Sequence, residues 1–265
     1  MSLLHSLTCR RCFSGSLMAT AVAAPLATLF GTRGAKAQNR PEAPPPGDPL
    51  STRSHVLDTG ADALQRKAPL DAMSAYLNGF HFYADDMGRQ VEASHYCTHL
   101  TEDFHQCVIF SSNQPDAKLI GIEYIVSEKV FRSLPEDEKK LWHSHDYEVR
   151  SGELVAPGLP DIAEHALMKD LVTTYGKTWH TWQIDRDPAF PMGIPQLMMG
   201  FTADGQITQG MLDDRDKRFD LSFMAQRKNR EDIAAPQPVA GANTWQSGTV
   251  PQLKLEQVPV RNRRT

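Results

Sequence analysis

Apolar and polar residues alternate with a period of two along several stretches of this chain, as they do in half-buried β-strands. In Val91–His99 the odd-numbered positions, including His95 and His99, share one face of the predicted strand. Leu119–Val126 reads LIGIEYIV and is rich in β-branched residues, which favour strands. Further strands are predicted at 108–110, 178–184 and 196–201, the last continuing into a hairpin with 206–208.

Other segments have the three- and four-residue spacing of amphipathic helices. This spacing predicts helical structure over Ala61–Phe80, with a break at Pro69. It also predicts a helix over Ile162–Tyr175 that ends at Gly176. Short helices are predicted at 128–134 and 136–142, an extended segment at 145–149 and charged helices from about 213 to 231. Because short turns join neighbouring strands, the sequence predicts an α+β fold with an antiparallel-rich sheet and helices packed on it.

The N-terminal region has the features of an export signal. Residues 1–37 contain no acidic residue, and Arg10-Arg11 precedes an apolar run that is followed by Ala35-Lys36-Ala37. The arginine pair before Cys12-Phe13 indicates the twin-arginine type and a periplasmic or otherwise exported protein, with a mitochondrial presequence as the alternative. The remaining chain divides into a Pro-rich linker at 38–50, a folded domain at 51–233 and an extended tail at 234–265.

Charge and hydropathy narrow the possible partners. The formal net charge is −4, and removal of the four basic residues of the leader would bring it to about −8. A net acidic chain without a basic stripe is a poor candidate for nucleic-acid binding. After the leader, no segment reaches the 18 apolar residues of a membrane span, so the mature chain is predicted to have no transmembrane helix.

Histidines carry the clearest chemical signal. Eight of the ten lie between His81 and His180, and several fall in two short clusters, His95-Tyr96-Cys97-Thr98-His99 and His143-Ser144-His145-Asp146-Tyr147-Glu148. Imidazole and thiolate are common ligands of zinc, iron and copper, and residues two apart on a strand share a face. The predicted metal ligands are His95, His99, His143, His145 and Glu148.

Each of these residues also has an ordinary structural interpretation. Buried histidines are often hydrogen-bonded core residues, and His81, His105 and His180 stand in aromatic surroundings that suit a core or substrate-facing position. Cys97 and Cys107 have three possible states: a disulfide, a metal ligand at Cys97, or buried thiols. Glu123 and Glu128 would act as bases only if they face the site.

Three longer stretches carry a family resemblance. They read FHFYADDMGRQVEASHYCTHLTEDFHQCVIF, KLIGIEYIVSEKVFRSLPEDEKKLWHSHDYEVRSG and YGKTWHTWQIDRDPAFPMGIPQLMMGFT. On these residues the chain resembles the oil body-associated protein family, which is known from plant seeds, fungi and bacteria. The family is named for seed lipid droplets and has no established reaction. The leader, which plant members lack, indicates a bacterial-type exported member.

Three functions follow as hypotheses. The first is a protein that binds a transition metal such as zinc, iron or copper, with enzymatic activity left open. The second is a non-enzymatic lipid-interacting protein whose contact would be the apolar residues of 192–199, which are otherwise a core strand. The third is a small-molecule binding module with a His- and Tyr-lined pocket and no metal.

Overall fold

Seven strands make one antiparallel sheet in the computed structural model, which describes residues 42–234 and 236–261. The export signal predicted at 1–37 lies outside the described residues. The strands are β1 (Ala75–Tyr83), β2 (Asp86–Thr101), β3 (Phe104–Phe110), β4 (Leu119–Val126), β5 (His143–Ser144), β6 (Tyr175–His180) and β7 (Gln196–Met199).

Six of these strands close into a barrel. The order is β4-β3-β2-β1-β7-β6, and β6 pairs back onto β4 over Gly121–Val126 and Tyr175–His180. The two-residue strand β5 pairs with Tyr175 and Gly176 on the other edge of β6. The predicted mixture of helices with an antiparallel sheet is confirmed, but closure of the sheet into a barrel is more specific than the expected sheet with helices packed on it.

Helices surround the barrel or connect its strands. They are α1 (Thr52–Leu64), α2 (Ala68–Asp71), α3 (Glu128–Ser133), α4 (Glu136–Lys139), α5 (Asp146–Ser151), α6 (Asp161–Leu171), α7 (Gln209–Phe219) and α8 (Phe223–Asn229), with a 3-10 helix at Thr244–Ser247. The hydroxyls of Ser51, Ser127 and Ser222 accept hydrogen bonds from backbone amides in the first turns of α1, α3 and α8. In the part of the chain described here, no helix combines the length and apolarity needed to cross a membrane.

Three predicted elements are wrong. The strand expected at 206–208 does not form, because turn and bend residues lead from β7 into α7, so 196–201 has no hairpin partner there. The helix expected over Ala61–Phe80 ends early, and Ala75–Tyr83 is strand β1. Seven consecutive residues of this strand are buried, so its apolar positions do not alternate and resemble helical spacing. The segment expected to be extended at 145–149 is instead the start of α5, which ends at Gly152 in the left-handed conformation (φ 80°).

Apolar clusters lie on both sides of the histidines along the inward-facing strand positions. One contains Tyr83, Val91, Ala93 and Met198, and the other contains Leu77, Cys97, Cys107, Ile125 and Leu154. Phe80 and Phe82 belong to a third cluster, which includes Phe201. Because neighbouring residues of β1 enter different clusters, the strand contributes to packing on both of its faces.

Two features hold the strands that form the site. Cys97 and Cys107 face each other across β2 and β3 and form a disulfide, so Cys97 is not a thiolate ligand. The side chain of Asn243 accepts a hydrogen bond from the amide of Ser144 at 3.0 Å and donates one to its hydroxyl at 2.9 Å. Asn243 belongs to the segment expected to be a tail, and it fixes the position of β5.

Candidate metal site inside the barrel

Imidazoles and carboxylates from five strands and one helix meet inside the barrel. The strands contribute one residue each, and the N-terminal end of α5 adds two more. All seven side chains belong to residues that are at most 5% exposed. They are His81 (β1), His95 (β2), Glu123 (β4), His143 (β5) and His180 (β6), together with His145 and Glu148.

Glu123 lies at the centre of this cluster. Its Oε2 atom is 2.8 Å from Nε2 of His95 and 3.8 Å from Nε2 of His81. Its Oε1 atom is 3.2 Å from Nε2 of His145 and 3.4 Å from Nε2 of His143. One carboxylate therefore faces four imidazole nitrogens that come from four different elements of the fold.

Further contacts extend the cluster on two sides. Nε2 of His143 is 3.9 Å from Oε2 of Glu148, and Nδ1 of His81 is 3.4 Å from Nε2 of His180. Two triads have ligand atoms within 4.8 Å of one another, a separation compatible with binding a single ion. They are His81, Glu123 and His143, and His143, His145 and Glu148.

The tautomer of His145 is determined by its neighbours. The hydroxyl of Thr174 donates a hydrogen bond to the carbonyl of Leu171 at 2.7 Å, so it accepts at its other contact, 2.7 Å from Nδ1 of His145. Nδ1 therefore carries a proton, and a neutral His145 presents the lone pair of Nε2 to the carboxylate of Glu123. Two electron-rich atoms 3.2 Å apart need a cation between them, either a proton or a metal ion.

Several imidazole nitrogens lack a hydrogen bond within the described residues. Both ring nitrogens of His95 and of His143 are buried without a partner in hydrogen-bonding geometry, although each ring has a nitrogen close to Glu123. Buried polar atoms normally have such a partner. Imidazole nitrogens that lie close to one point, but not in hydrogen-bonding geometry, are typical of ligands that bind the same metal ion.

Burial and mutual proximity shift the pKa values in the cluster. Burial by itself would raise the pKa of Glu123, but the imidazoles of His143, His145 and His95 outweigh it and hold this pKa well below its usual range. Burial lowers the pKa of His81 and of His143, in both cases against the opposing effect of Glu123. These two imidazoles are therefore neutral near pH 7, which is the form that binds metals.

The outer members of the cluster also have shifted pKa values. Burial lowers the pKa of His180 to about 3, and the nearby His95 adds to this effect. Burial raises the pKa of Glu148 well above its usual range, and the negative charges of Glu153 and Glu123 raise it further. An added cation would relieve the repulsion among these carboxylates.

Close packing around the site depends on glycine at two positions. A Cβ atom on Gly176 would clash with Oε1 of Glu123 and would lie 2.8 Å from Nε2 of His145. A Cβ atom on Gly200 would lie 2.8 Å from Cδ of Glu148. The site also encloses a cavity of about 10 Å³, room for one ion or one water molecule.

The structure brings together four of the five predicted ligands. His95, His143, His145 and Glu148 join the cluster, whereas His99 does not. His99 lies beyond the disulfide, is exposed, and stacks on its cross-strand partner His105 with ring centroids 4.0 Å apart. The turn that follows at the end of β2 places this pair outside the enclosed interior.

The predicted ligand set omitted three members of the cluster. Glu123, the central carboxylate, could have been found as a charged residue in the otherwise apolar strand LIGIEYIV. His81 and His180 were set aside because aromatic residues surround them, but Phe80 and Phe82 occupy the alternate positions of β1 and pack in a different cluster. The missing information was the strand pairing that brings β1 and β6 to the same interior.

Comparison with known proteins identifies the family. A family model described as "Protein of unknown function (DUF1264)" matches residues 67–234. The chain is 48% identical over 201 residues to oil body-associated protein 1A of Zea mays, covering 74% of this chain and 84% of that protein. The chain belongs to the oil body-associated protein family.

Other members of the oil body-associated protein family show similar coverage. Protein 1B of Arabidopsis thaliana is 43% identical over 211 residues, covering 80% of this chain and 87% of that protein. Protein 2C of Arabidopsis thaliana is 39% identical over 195 residues, which cover 73% of this chain and 82% of that protein. No solved structure matches the chain. The family model spans every residue of the cluster, so the site lies within the matched region.

Proposed function

We propose that this protein binds one transition metal ion inside its barrel. The ligands would come from His81, His95, Glu123, His143 and His145, with Glu148 at the edge of the site. Their number exceeds what a single zinc ion uses, so some of them would orient the others by hydrogen bonds. Imidazole and carboxylate donors suit zinc, iron and copper.

The observation that carries the proposal is the contact between His145 and Glu123. A proton on Nδ1 of His145 is fixed by Thr174, so the Nε2 lone pair faces the Glu123 carboxylate. A metal ion between these two atoms satisfies both of them and also the nearby nitrogen of His143. In the third hypothesis, a pocket without metal, a proton on Nε2 of His145 would take this place, but a proton satisfies only one nitrogen and leaves both ring nitrogens of His143 without a partner.

Cobalt binding tests this proposal directly. Chelator-treated protein titrated with Co²⁺ is expected to develop visible absorption that saturates at about one ion per chain. Glu123→Gln, which removes the central charge with little change of shape, is expected to abolish this signal. Glu128→Gln is the matched control because Glu128 lies on α3 and pairs with Arg132 there. Equal titrations of all three proteins would contradict the proposal.

Two observations support an exported, bacterial-type member of the family. The first 37 residues have the composition of a twin-arginine signal, and the Cys97–Cys107 disulfide is typical of oxidising compartments. Cell fractionation tests this, with Arg10→Lys/Arg11→Lys as the variant. Exported wild-type protein and a retained variant are expected, whereas retention of both proteins, or import into mitochondria, would contradict it.

Association with a lipid surface is the second candidate. The similar plant proteins are named for oil bodies, and α1 has no buried residue, with Val56, Leu57 and Leu64 at least 56% exposed. The stretch first considered for this role is largely core, since Leu197, Met198 and Met199 are fully buried. An apolar helix face of this kind suits the surface of a lipid droplet.

Flotation with emulsified triglyceride tests the lipid candidate. The wild-type protein is expected to rise with the lipid, and Val56→Ser/Leu64→Ser is expected to stay at the bottom of the gradient. Leu255→Ser/Val260→Ser is the control, because it removes two equally exposed apolar residues outside α1. Wild-type protein that does not float would exclude this function and leave the metal site unaffected.

A further inference from the structure

A surface cavity lies beside α5, the helix that also carries Glu148. It has a volume of about 460 Å³ and is lined by residues that include Tyr147, Glu153, Asp204, Phe223 and Arg227. We call it the α5 cavity. Its lining and the enclosed site share helix α5 and the turn that follows, since Glu148 borders the internal cavity and Glu153 borders the α5 cavity.

Glu153 is the least satisfied acid in this region. The residue is 2% exposed, and neither carboxylate oxygen has a hydrogen-bond partner within the described residues. Its backbone is fully engaged, because the amide donates to Ser151 and the carbonyl accepts from Arg215 at 2.7 Å. A buried carboxylate without a partner is costly, and a cation that enters the cavity would supply the missing partner.

The cations nearest to Glu153 have other partners. Arg215 bonds to Asp216 at 2.8 Å, and Arg227 bonds to Asp204 with both of its terminal nitrogens. These guanidinium charges lower the pKa of Glu153 only in part, and burial raises it to about 8. Because neither oxygen of Glu153 is hydrogen-bonded to these guanidinium groups, both are open to an additional cation, whose charge would favour the ionised carboxylate.

Glu153 is also held close to the metal site. Leu154 borders the internal cavity, and its amide donates a hydrogen bond to the carbonyl of Glu148 at 2.9 Å, so the turn after α5 places Glu153 next to residues that line this cavity. The acids thus follow one another from the α5 cavity to the centre of the barrel. Apart from the acids and imidazoles of the cluster, the side chains that border the internal cavity are apolar, and residues such as Leu77, Ile125 and Leu171 offer a cation no ligand.

We propose that Glu153 and then Glu148 conduct a divalent transition metal ion from the α5 cavity to the histidine cluster. This inference rests on the proposed metal site. An ion that leaves water needs oxygen or nitrogen donors at each step, because transfer of a bare charge into an apolar interior is prohibitive. Glu153 supplies the first donor, Glu148 the second, and Glu123 with the imidazoles the final set.

The rate of metal uptake tests this route. Chelator-treated protein is mixed rapidly with Co²⁺, and the growth of visible absorption is followed in time. Glu153→Gln is expected to take up the ion at least tenfold more slowly than wild type and to reach the same final stoichiometry. Refolding in the presence of Co²⁺ should load both proteins equally, since the ion then reaches its ligands before the barrel closes.

Two further variants complete the test. Asp161→Asn removes the same charge at a different surface cavity and should load at the wild-type rate. Asp204→Asn leaves the positive charge of Arg227 unopposed at the α5 cavity, so it should repel Co²⁺ and slow uptake. This variant tests the route even if Glu153→Gln does not fold. Wild-type rates in both Glu153→Gln and Asp204→Asn would overturn the route and leave the metal site standing. A wild-type protein that binds no Co²⁺ would instead refute the metal site itself.

Discussion

Nε2 of His95 lies 2.8 Å from Oε2 of Glu123, although the two residues belong to strands that are not neighbours in the sheet. β3 separates β2 from β4, so the contact is made across the interior and only because the sheet curves into a barrel. Closure of the barrel is therefore what turns separate sequence clusters into one site.

Substitution of Gly176 by Ala should disrupt the metal site, because Gly176 lies on barrel strand β6 next to the proposed ligands. The new methyl group would meet Oε1 of Glu123 and lie 2.9 Å from Cε1 of His143. We expect a loss of about 1–3 kcal/mol in the free energy of unfolding, the usual range for overpacking, together with loss of bound metal. Urea unfolding and elemental analysis of the same sample measure both effects.

Gly210→Ala is the control for this substitution. Gly210 lies in α7, and a Cβ atom there would meet nothing within 4 Å. This variant should keep its metal and gain up to about 1 kcal/mol from the reduced entropy of the unfolded chain. Equal behaviour of the two alanine variants would show that Gly176 has no special role.

The stability of the metal-free protein should be greatest near pH 6.5. Burial lowers the pKa values of His81, His143 and His180, so below about 6.5 the unfolded chain takes up protons that the folded state excludes. Stability is therefore lost as the pH falls from about 6.5, and Glu123, whose pKa is depressed, adds to the loss in stronger acid.

The alkaline side of this profile has the opposite origin. Burial raises the pKa values of Glu148 and Glu153 in the folded state. At a pH between the unfolded-state pKa of about 4.3 and the raised folded-state pKa, the native protein therefore holds more protons than the unfolded chain. Stability falls as the pH rises through this range. Urea unfolding of chelator-treated protein from pH 4 to 9 measures both sides, and a profile that rises steadily to pH 9 would contradict these assignments.

Glu153→Gln should stabilise the metal-free protein in alkali. Burial raises the pKa of Glu153 to about 8, and glutamine resembles the protonated acid that burial favours. The gain in unfolding free energy should be on the order of 1–3 kcal/mol at pH 9 and close to zero at pH 4. A variant that is less stable than wild type at pH 9 would mean that the charged carboxylate has a partner.

Removal of the disulfide should affect stability without affecting the metal. Cys97→Ala/Cys107→Ala opens a cross-link between residues ten positions apart and should cost about 2–3 kcal/mol in unfolding free energy. Metal content should remain at the wild-type value because the sulfur atoms are bonded to each other. A double variant that lost its metal at unchanged stability would revive a ligand role for Cys97.

The local sequence pattern of apolar and polar residues predicted the helices and strands of this fold better than it predicted the metal site. Leu119–Val126 is a strand at the expected residues, and the helix predicted to follow it begins directly after Ser127. The helix at 128–134 and the charged helices near the end of the domain were also found. These elements are determined by neighbouring residues, so the sequence alone is informative about them.

The ligand set depended on contacts between distant parts of the chain. His99 shares the alternation of His95 but lies beyond the disulfide at the rim, and spacing alone does not reveal where a strand leaves the interior. Glu123 stands out in the sequence as a charged residue in an apolar strand, but its role as the central carboxylate depends on the strand pairing that joins it to Cys107 on β3 and Thr178 on β6. Periodicity identified the faces of the strands, while closure of the barrel determined which faces meet.

The metal content of untagged protein tests the central claim most directly. Elemental analysis of the wild-type protein, purified without added metal or chelator, should find about one transition metal ion per chain. His143→Ala/His145→Ala should have almost none, whereas His99→Ala/His105→Ala, which removes two imidazoles outside the cluster, should match the wild type. Wild-type protein without metal, or the same content in both double variants, would contradict the account.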